Sequence, residues 1–356
     1  MKAPLLLAFV RLAFAVCLGV ATPLATRAAT HTVDNANPGA ADFSDLATAI
    51  GKAASGDTLL LAGSATSYGT AKLDKELHLI GPGWNIKENH PDATPATGAS
   101  IDLLTIDNSN ASGSSLTSLR ITSISLSNTA DILVQRIRPV SETQDATVSV
   151  SMLRVSSATL RQNFRLAIAA KNGEANISKL KVLNNIVASQ FRLNATDAQI
   201  EHNLILDGPV DISGASLRYN LLYPGSNTGV TLANSLAEFN VAAQSASKNA
   251  DRKGFWPGNN NLNDADADSL FVAAGSFDSQ FQLGPKSPAA NIANTGLDVG
   301  PFGGGRPYIL SGMPSVPVIF QVNAPATAER GETINISFNA TTEPVESSSS
   351  RDPETD

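Results

Sequence analysis

The chain has 356 residues, 42% of them hydrophobic but only 5% aromatic, and its 25 Lys and Arg against 32 Asp and Glu give a formal charge of -7. That balance argues against a nucleic-acid partner, whose phosphates require clustered Lys and Arg. Abundant Ser, Thr, Asn, Ala and Gly suit many short β segments and turns better than a helical protein.

Residues 1–29 read as a targeting segment. Lys2 supplies the positive end, residues 5–20 are mostly apolar, and "LATRAAT" offers small residues for cleavage near Ala28 or Ala29. The apolar run is short, carries Arg11 and is followed by Pro23, so it is not a membrane anchor, and no membrane span is expected in the mature chain. Cys17, the single cysteine, lies in this segment behind Val16, where a lipoprotein signal requires a small residue. Export therefore leaves a chain with no disulfide, held together by packing alone, in the periplasm, on the cell surface or in the medium. Removing Lys2, Arg11 and Arg27 leaves 22 basic against 32 acidic side chains, a formal charge of -10. Such a surface repels anionic polysaccharides unless cations bridge the charges.

Residues 31–33 are expected as a short strand. Residues 43–54, "FSDLATAIGKAA", predict a helix: Phe43, Leu46, Ile50 and Ala53 share a face, Asp42 or Ser44 can cap the start, and Gly56 ends it. Two or three strands follow, the last leading into Gly81-Pro82-Gly83. From about residue 101 the chain alternates over four to six residues in segments such as "LRITSISL" and "ATVSVSMLRV", without helical periodicity.

A repeat then takes over. Leu160-x-x-Asn163-Phe164 returns as Val182-x-x-Asn185-Ile186, Ile200-x-x-Asn203-Leu204 and Leu217-x-x-Asn220-Leu221, and loosely as Phe239-Asn240-Val241, at intervals of 22, 18, 17 and 20 residues. A repeat of this length without helical spacing signals a β-solenoid, in which each coil buries its apolar side against its neighbours. The asparagines are expected to stack as a structural ladder at a bend, where Asn tolerates a left-handed backbone and its amide can bond to the next coil. Glu201, Arg218 and Glu238, two residues before their asparagines, should point outward as a weak charge ladder.

Helix 43–54, the strand before "LIGPG", the repeat, and the closing "LF…FQLGPKSPAANIANTGLDVGPFGG" together resemble secreted proteins of the pectin-lyase-like superfamily. The resemblance spans about residues 31–305. It implies an all-β fold: a right-handed parallel β-helix over 30–305 with an N-terminal capping helix. The repeat length suggests roughly eight to ten coils, and a monomer is expected. Residues 306–342 read as a C-terminal β-hairpin extension packing on the last coil, and 343–356 as a polar, disordered tail.

The resemblance names the fold and not the substrate, because lyases, hydrolases, epimerases and adhesins share it. The "NTD", "DD", "GHG" and "RIK" motifs of polygalacturonase-like hydrolases do not occur. Lyase-like enzymes use an Arg or Lys base with calcium held by acids. Arg136 and Arg138 in "VQRIRPV" are the catalytic candidates, although outward, solvated arginines are the plainer reading. Asp264, Asp266 and Asp268 in "DADAD" are candidate calcium ligands without the EF-hand spacing. His31, His78, His90 and His202 show no metal-ligand spacing. Trp84 and Trp256 can stack on sugars or cover the solenoid ends. No serine elbow or phosphate loop is present. Three functions follow: a non-catalytic surface protein in adhesion or glycan contact, a polysaccharide lyase or glycoside hydrolase with an unfamiliar site, or an ice- or surface-binding face, for which no regular T-x-T ladder exists.

Overall fold

The computed structural model describes residues 28–89, 97–170, 176–223, 229–244 and 256–341, apart from 273, 293–294, 316, 324, 326, 328–329 and 332. Residues 1–27 of the expected targeting segment, His90 and the expected tail 343–356 lie outside them. The described chain is an all-β parallel solenoid of about nine turns.

Each middle coil passes through three short strands. A narrow sheet holds Leu133–Gln135, Thr159–Arg161, Lys181–Leu183 and Leu236–Glu238, with the ends of Ile186–Glu201 and Val210–Arg218 between the last two. A short sheet follows the asparagines, through Leu204–Ile205, Leu221–Leu222, Val241–Gln244 and Leu262–Asp266. A broad sheet completes the coil, from Thr70–Leu73 through Ser100–Asp107, Arg120–Ala130, Val148–Ser156 and Phe164–Ala170 onward. Every pairing within these sheets is parallel.

The register explains the sequence pattern. In the narrow sheet Leu59, Leu79, Leu116, Val134, Leu160, Val182, Ile200, Leu217 and Ala237 stack in one buried column. In the broad sheet Leu104, Ile124, Val150, Ile168, Phe191 and Val210 do the same. Strand alternation fixes these faces, and slipping one residue would turn a whole column outward. Each buried aliphatic contributes about 1.5–3 kcal/mol.

The first coil is covered by the helix Leu46–Lys52, shorter than the 43–54 expected. Its cap is Asp45, whose carboxylate accepts the Thr48 N–H at 2.7 Å. Asp42 instead accepts from the Thr32 backbone and hydroxyl, and Phe43 bridges Val33 as an extended residue. The backbone of 42–43 is thus used in strand-like contacts and cannot begin the helix.

Val318–Asn323 and Ser337–Thr341 pair antiparallel as a hairpin. The chain does not reach it from the last coil. Residues 300–313 run back along the solenoid as a strap, so that the Ser311 carbonyl meets the Trp84 N–H at 2.9 Å and the Met313 carbonyl meets Arg136 Nη1 at 2.7 Å. The hairpin therefore starts from the flank of the early coils. No helix among the described residues is long and apolar enough to cross a membrane.

Candidate functional site

The ladder asparagines lie at the bend between the narrow and short sheets, and Asn163, Asn185, Asn203, Asn220 and Asn240 are fully buried. From Asn185 onward each Oδ1 accepts both the backbone N–H and the side-chain N–H of the asparagine one coil earlier, whereas Asn163 Oδ1 accepts the Ile137 backbone N–H at 2.9 Å. For Asn203 accepting from Asn185 the distances are 2.9 and 3.0 Å. Each Nδ2 also reaches a carbonyl of the preceding coil, as Asn203 reaches Val182 at 2.7 Å. A sixth rung, Asn261, accepts from Asn240 at 2.8 and 3.1 Å. The motif "NNNLN" had hidden it, although Asn261-Leu262 fits the pattern.

The left-handed residue at each bend is not the ladder asparagine but the one before it. Gln162, Asn184, His202, Tyr219, Phe239 and Asn260 all have φ between 53° and 60°. The asparagine must keep an inward side chain to close the ladder, so its predecessor takes the turn. This second column faces outward and is largely consumed by the strap. Asn184 Nδ2 donates to the Pro301 and Gly303 carbonyls at 3.0 and 2.8 Å, and Gln162 Nε2 to Pro307 at 2.6 Å. His202 and Tyr219 stack at 5.0 Å, Tyr219 and Phe239 at 5.6 Å. Gly304 lies on the imidazole; a Cβ there would sit 2.7 Å from His202 Nε2.

Several expected site residues are drawn into this packing. Arg136 and Arg138 are not solvated: they are 5% and 1% exposed. Arg136 Nε bonds Gln162 Oε1 at 3.0 Å, and the Arg138 guanidinium lies 5.5 Å from the Trp84 ring and 5.4 Å from Phe277. Burial, with Arg120 nearby, draws the Arg138 guanidinium below its ordinary value. Outward alternation fails here because Arg136 occupies a left-handed bend position, φ 57°, which turns it under the strap. Trp84 and Trp256 are buried, their indole N–H groups on the Arg136 and Val241 carbonyls, so neither is an exposed sugar platform.

Asp264, Asp266 and Asp268 are exposed on the last strand and its following turn, with Asp266 capping that turn through the Asp268 N–H at 3.1 Å. Among the described residues no group of three or more His, Cys, Asp or Glu is arranged to hold a metal. His31 contacts Asp57, and His78 contacts Ser115. A hydroxyl column runs Thr105, Ser125, Ser151 on the broad sheet but ends at Ala169.

What the sequence did not single out is a groove of about 540 Å³ beside the ladder bend. Asp145, Arg165 and Asp207 line it with Gln144, Ser189 and Gln280, and Phe164, Phe277 and Phe281 form its aromatic side. Arg165 sits at a bulge, φ 56°, where the register between Phe164–Ala170 and the next coil shifts. Its Nε donates to the Ala146 carbonyl at 2.9 Å. The terminal guanidinium nitrogens have no hydrogen-bond partner among the described residues. Burial draws Arg165 below its ordinary value while Asp145 works the other way; an arginine stays cationic regardless.

Asp207 is positioned by a tight crossing. Its Oδ1 accepts the Gly208 N–H at 2.7 Å, and Gly208 lies so close over Ser189 that a Cβ would fall 0.9 Å from the Ser189 carbonyl oxygen. The aromatic side forms only when the closing segment folds back, placing Phe277 4.8 Å and Phe281 6.4 Å from Phe164. The groove thus offers a cation, two carboxylates, amides and ring faces along one open channel, the mixture that holds hydroxyl-rich ligands.

One signal could have revealed it. Ser189 and Asp207 each stand four residues after a ladder asparagine, so stacking the repeats would have put them in one column. These features define a parallel β-solenoid with a flank groove. Compared with known protein families, curated proteins and solved structures, the chain matches none.

Proposed function

We propose that this is an exported β-helix protein of the pectin-lyase-like kind that holds a stretch of neutral glycan in the flank groove, in adhesion or cell-surface glycan contact. The observation that carries this is the groove itself, lined by Arg165, whose terminal nitrogens have no hydrogen-bond partner among the described residues, by the Asp145 and Asp207 acceptors, and by Phe277 and Phe281. Sugar hydroxyls can donate to both carboxylates and accept from the guanidinium, and a pyranose face can lie on the rings. The acidic chain disfavours a polyanionic ligand. Retention on a panel of plant, algal and bacterial polysaccharides tests this: Arg165→Ala should weaken retention about tenfold, the equivalent of one charge-assisted hydrogen bond. Equal retention by the variant would overturn the assignment of the groove.

A second reading, a polysaccharide lyase or glycoside hydrolase, is favoured by two carboxylates and a base from different coils on one groove. Incubation with the same panel, with and without millimolar calcium, decides between them. New reducing ends or ultraviolet-absorbing unsaturated ends that vanish in Asp207→Asn would establish catalysis at this site.

A further inference from the structure

The first strand begins in an unusual contact. The backbone nitrogen of Ala29 lies 2.7 Å from Asp57 Oδ1, and the Ala29 carbonyl accepts the Thr58 N–H at 2.8 Å. Asp57 is 4% exposed, and its other oxygen takes the Ala54 N–H at 2.7 Å and His31 Nε2 at 3.3 Å. A buried carboxylate is costly unless paired with a cation. Among the described residues no Lys or Arg side chain forms an ion pair with Asp57; its side-chain partner is His31. Ala28 and Ala29 are both exposed, so the bond between them is open to a peptidase.

We infer that the chain is processed between Ala28 and Ala29, and that the new α-ammonium of Ala29 forms an ion pair with Asp57 that locks the first strand onto the second. Hydrolysis breaks the Ala28–Ala29 amide bond; water adds its hydroxyl to the Ala28 carbonyl carbon and its proton to the Ala29 nitrogen, and the new Ala28 carboxylic acid gives up its proton, which the Ala29 amine takes to become the ammonium. That nitrogen already stands at the distance of a charge-assisted hydrogen bond, so cutting converts an amide contact into an ion pair without moving the backbone. The local sequence agrees. A cut after Ala28 has Thr26 and Ala28 at the two positions where an export peptidase requires small residues, whereas a cut after Ala29 would put Arg27 there. It would also remove the Ala29 carbonyl that holds Thr58. The inference rests on the export reading proposed above.

The test is made on the exported full chain and on a version retaining Ala28 behind an added Gly. The intact mass of protein secreted from the complete precursor should correspond to a chain starting at Ala29. That chain should melt about 2 °C above the Ala28-retaining version at pH 7, a shift of the size expected for one ion pair in a protein this large. The partner raises the ammonium's folded pKa above its unfolded value of about 7.7–8.0. The advantage is therefore complete below that value and disappears as pH rises through the folded one. The other ionisable groups nearby are His31, Asp42 beside it, and Lys75 bound to the Ala53 carbonyl. They are common to both chains and cancel in the difference. Acetylating the Ala29 amine should erase the advantage, as should Asp57→Asn. A secreted mass starting elsewhere, or equal melting of the two chains at pH 7, would overturn the inference while leaving glycan retention to be judged by Arg165→Ala. Failure of the precursor to be exported would overturn both the inference and the export reading.

Discussion

At the scale of single residues, the ladder asparagines show how much one side chain can contribute in a solenoid. Asn203 accepts two bonds from Asn185 and donates to Val182, Glu201 and Asn220. Asn203→Leu keeps the volume but strands the Asn185 N–H and the Val182 carbonyl in a dry interior. The expected cost is about 1–3 kcal/mol, read as a lower denaturation midpoint with an unchanged slope. Asn261→Ala, at the partly buried end of the ladder, should cost less. Gly208→Ala belongs at this scale too. Its φ of 89° and the 0.9 Å clash with the Ser189 carbonyl leave no room for a methyl group. The crossing must open, so the variant should melt lower and lose glycan retention together. A variant as stable as the parent would show that the crossing is not rigid.

Among the elements, the strap has the most unexpected role. It closes the flank of the early coils and of the ladder bends through side chains in the left-handed column, while the hairpin beyond it is carried along. Gln162→Ala and Asn184→Ala each remove donors to strap carbonyls without disturbing the buried ladder. Both should leave strand content unchanged and expose residues 300–313 to limited proteolysis, with new fragments seen by mass spectrometry. If neither variant is cut faster than the parent, the strap is held by apolar contacts such as Tyr308 instead.

Over the whole molecule, stability should carry an acid limb. Hydrogen bonds from Thr32, Thr48, and from Ser127 with Asn128, hold Asp42, Asp45 and Asp107 below the usual carboxylate range. For Asp57 burial pushes the other way, but the Ala29 and Ala54 N–H groups with His31 outweigh it. Groups lowered in the folded state stabilise fully above their unfolded pKa of about 3.9, and that contribution is lost as pH falls through the folded values. The melting temperature should therefore fall below about pH 4, and Asp57→Asn should flatten that limb. An acid limb unchanged in the variant would move the effect to the other carboxylates.

The sequence by itself determined the solenoid, its register and its asparagine column. Each coil must bury the same kind of residue against the same neighbour, so inward aliphatics and asparagines recur at the coil period. Residues 160–221 display that recurrence openly. It also marked the capping helix, but not the residue that caps it, because Asp42, Ser44 and Asp45 can all cap, and the choice of Asp45 follows from the contacts of Asp42 and Phe43 with the first strand. The groove and the strap were decided by the tertiary structure alone. Asp145, Arg165 and Asp207 become neighbours only after intervening coils have wound, and apart from the spacing of Asp207 behind its ladder asparagine no local pattern distinguishes them from other surface charges. Arg136 looked like an outward strand residue, yet its partner is the Met313 carbonyl 177 residues away. A contact over that separation leaves no periodic trace in a chain, since it is made once rather than once per coil.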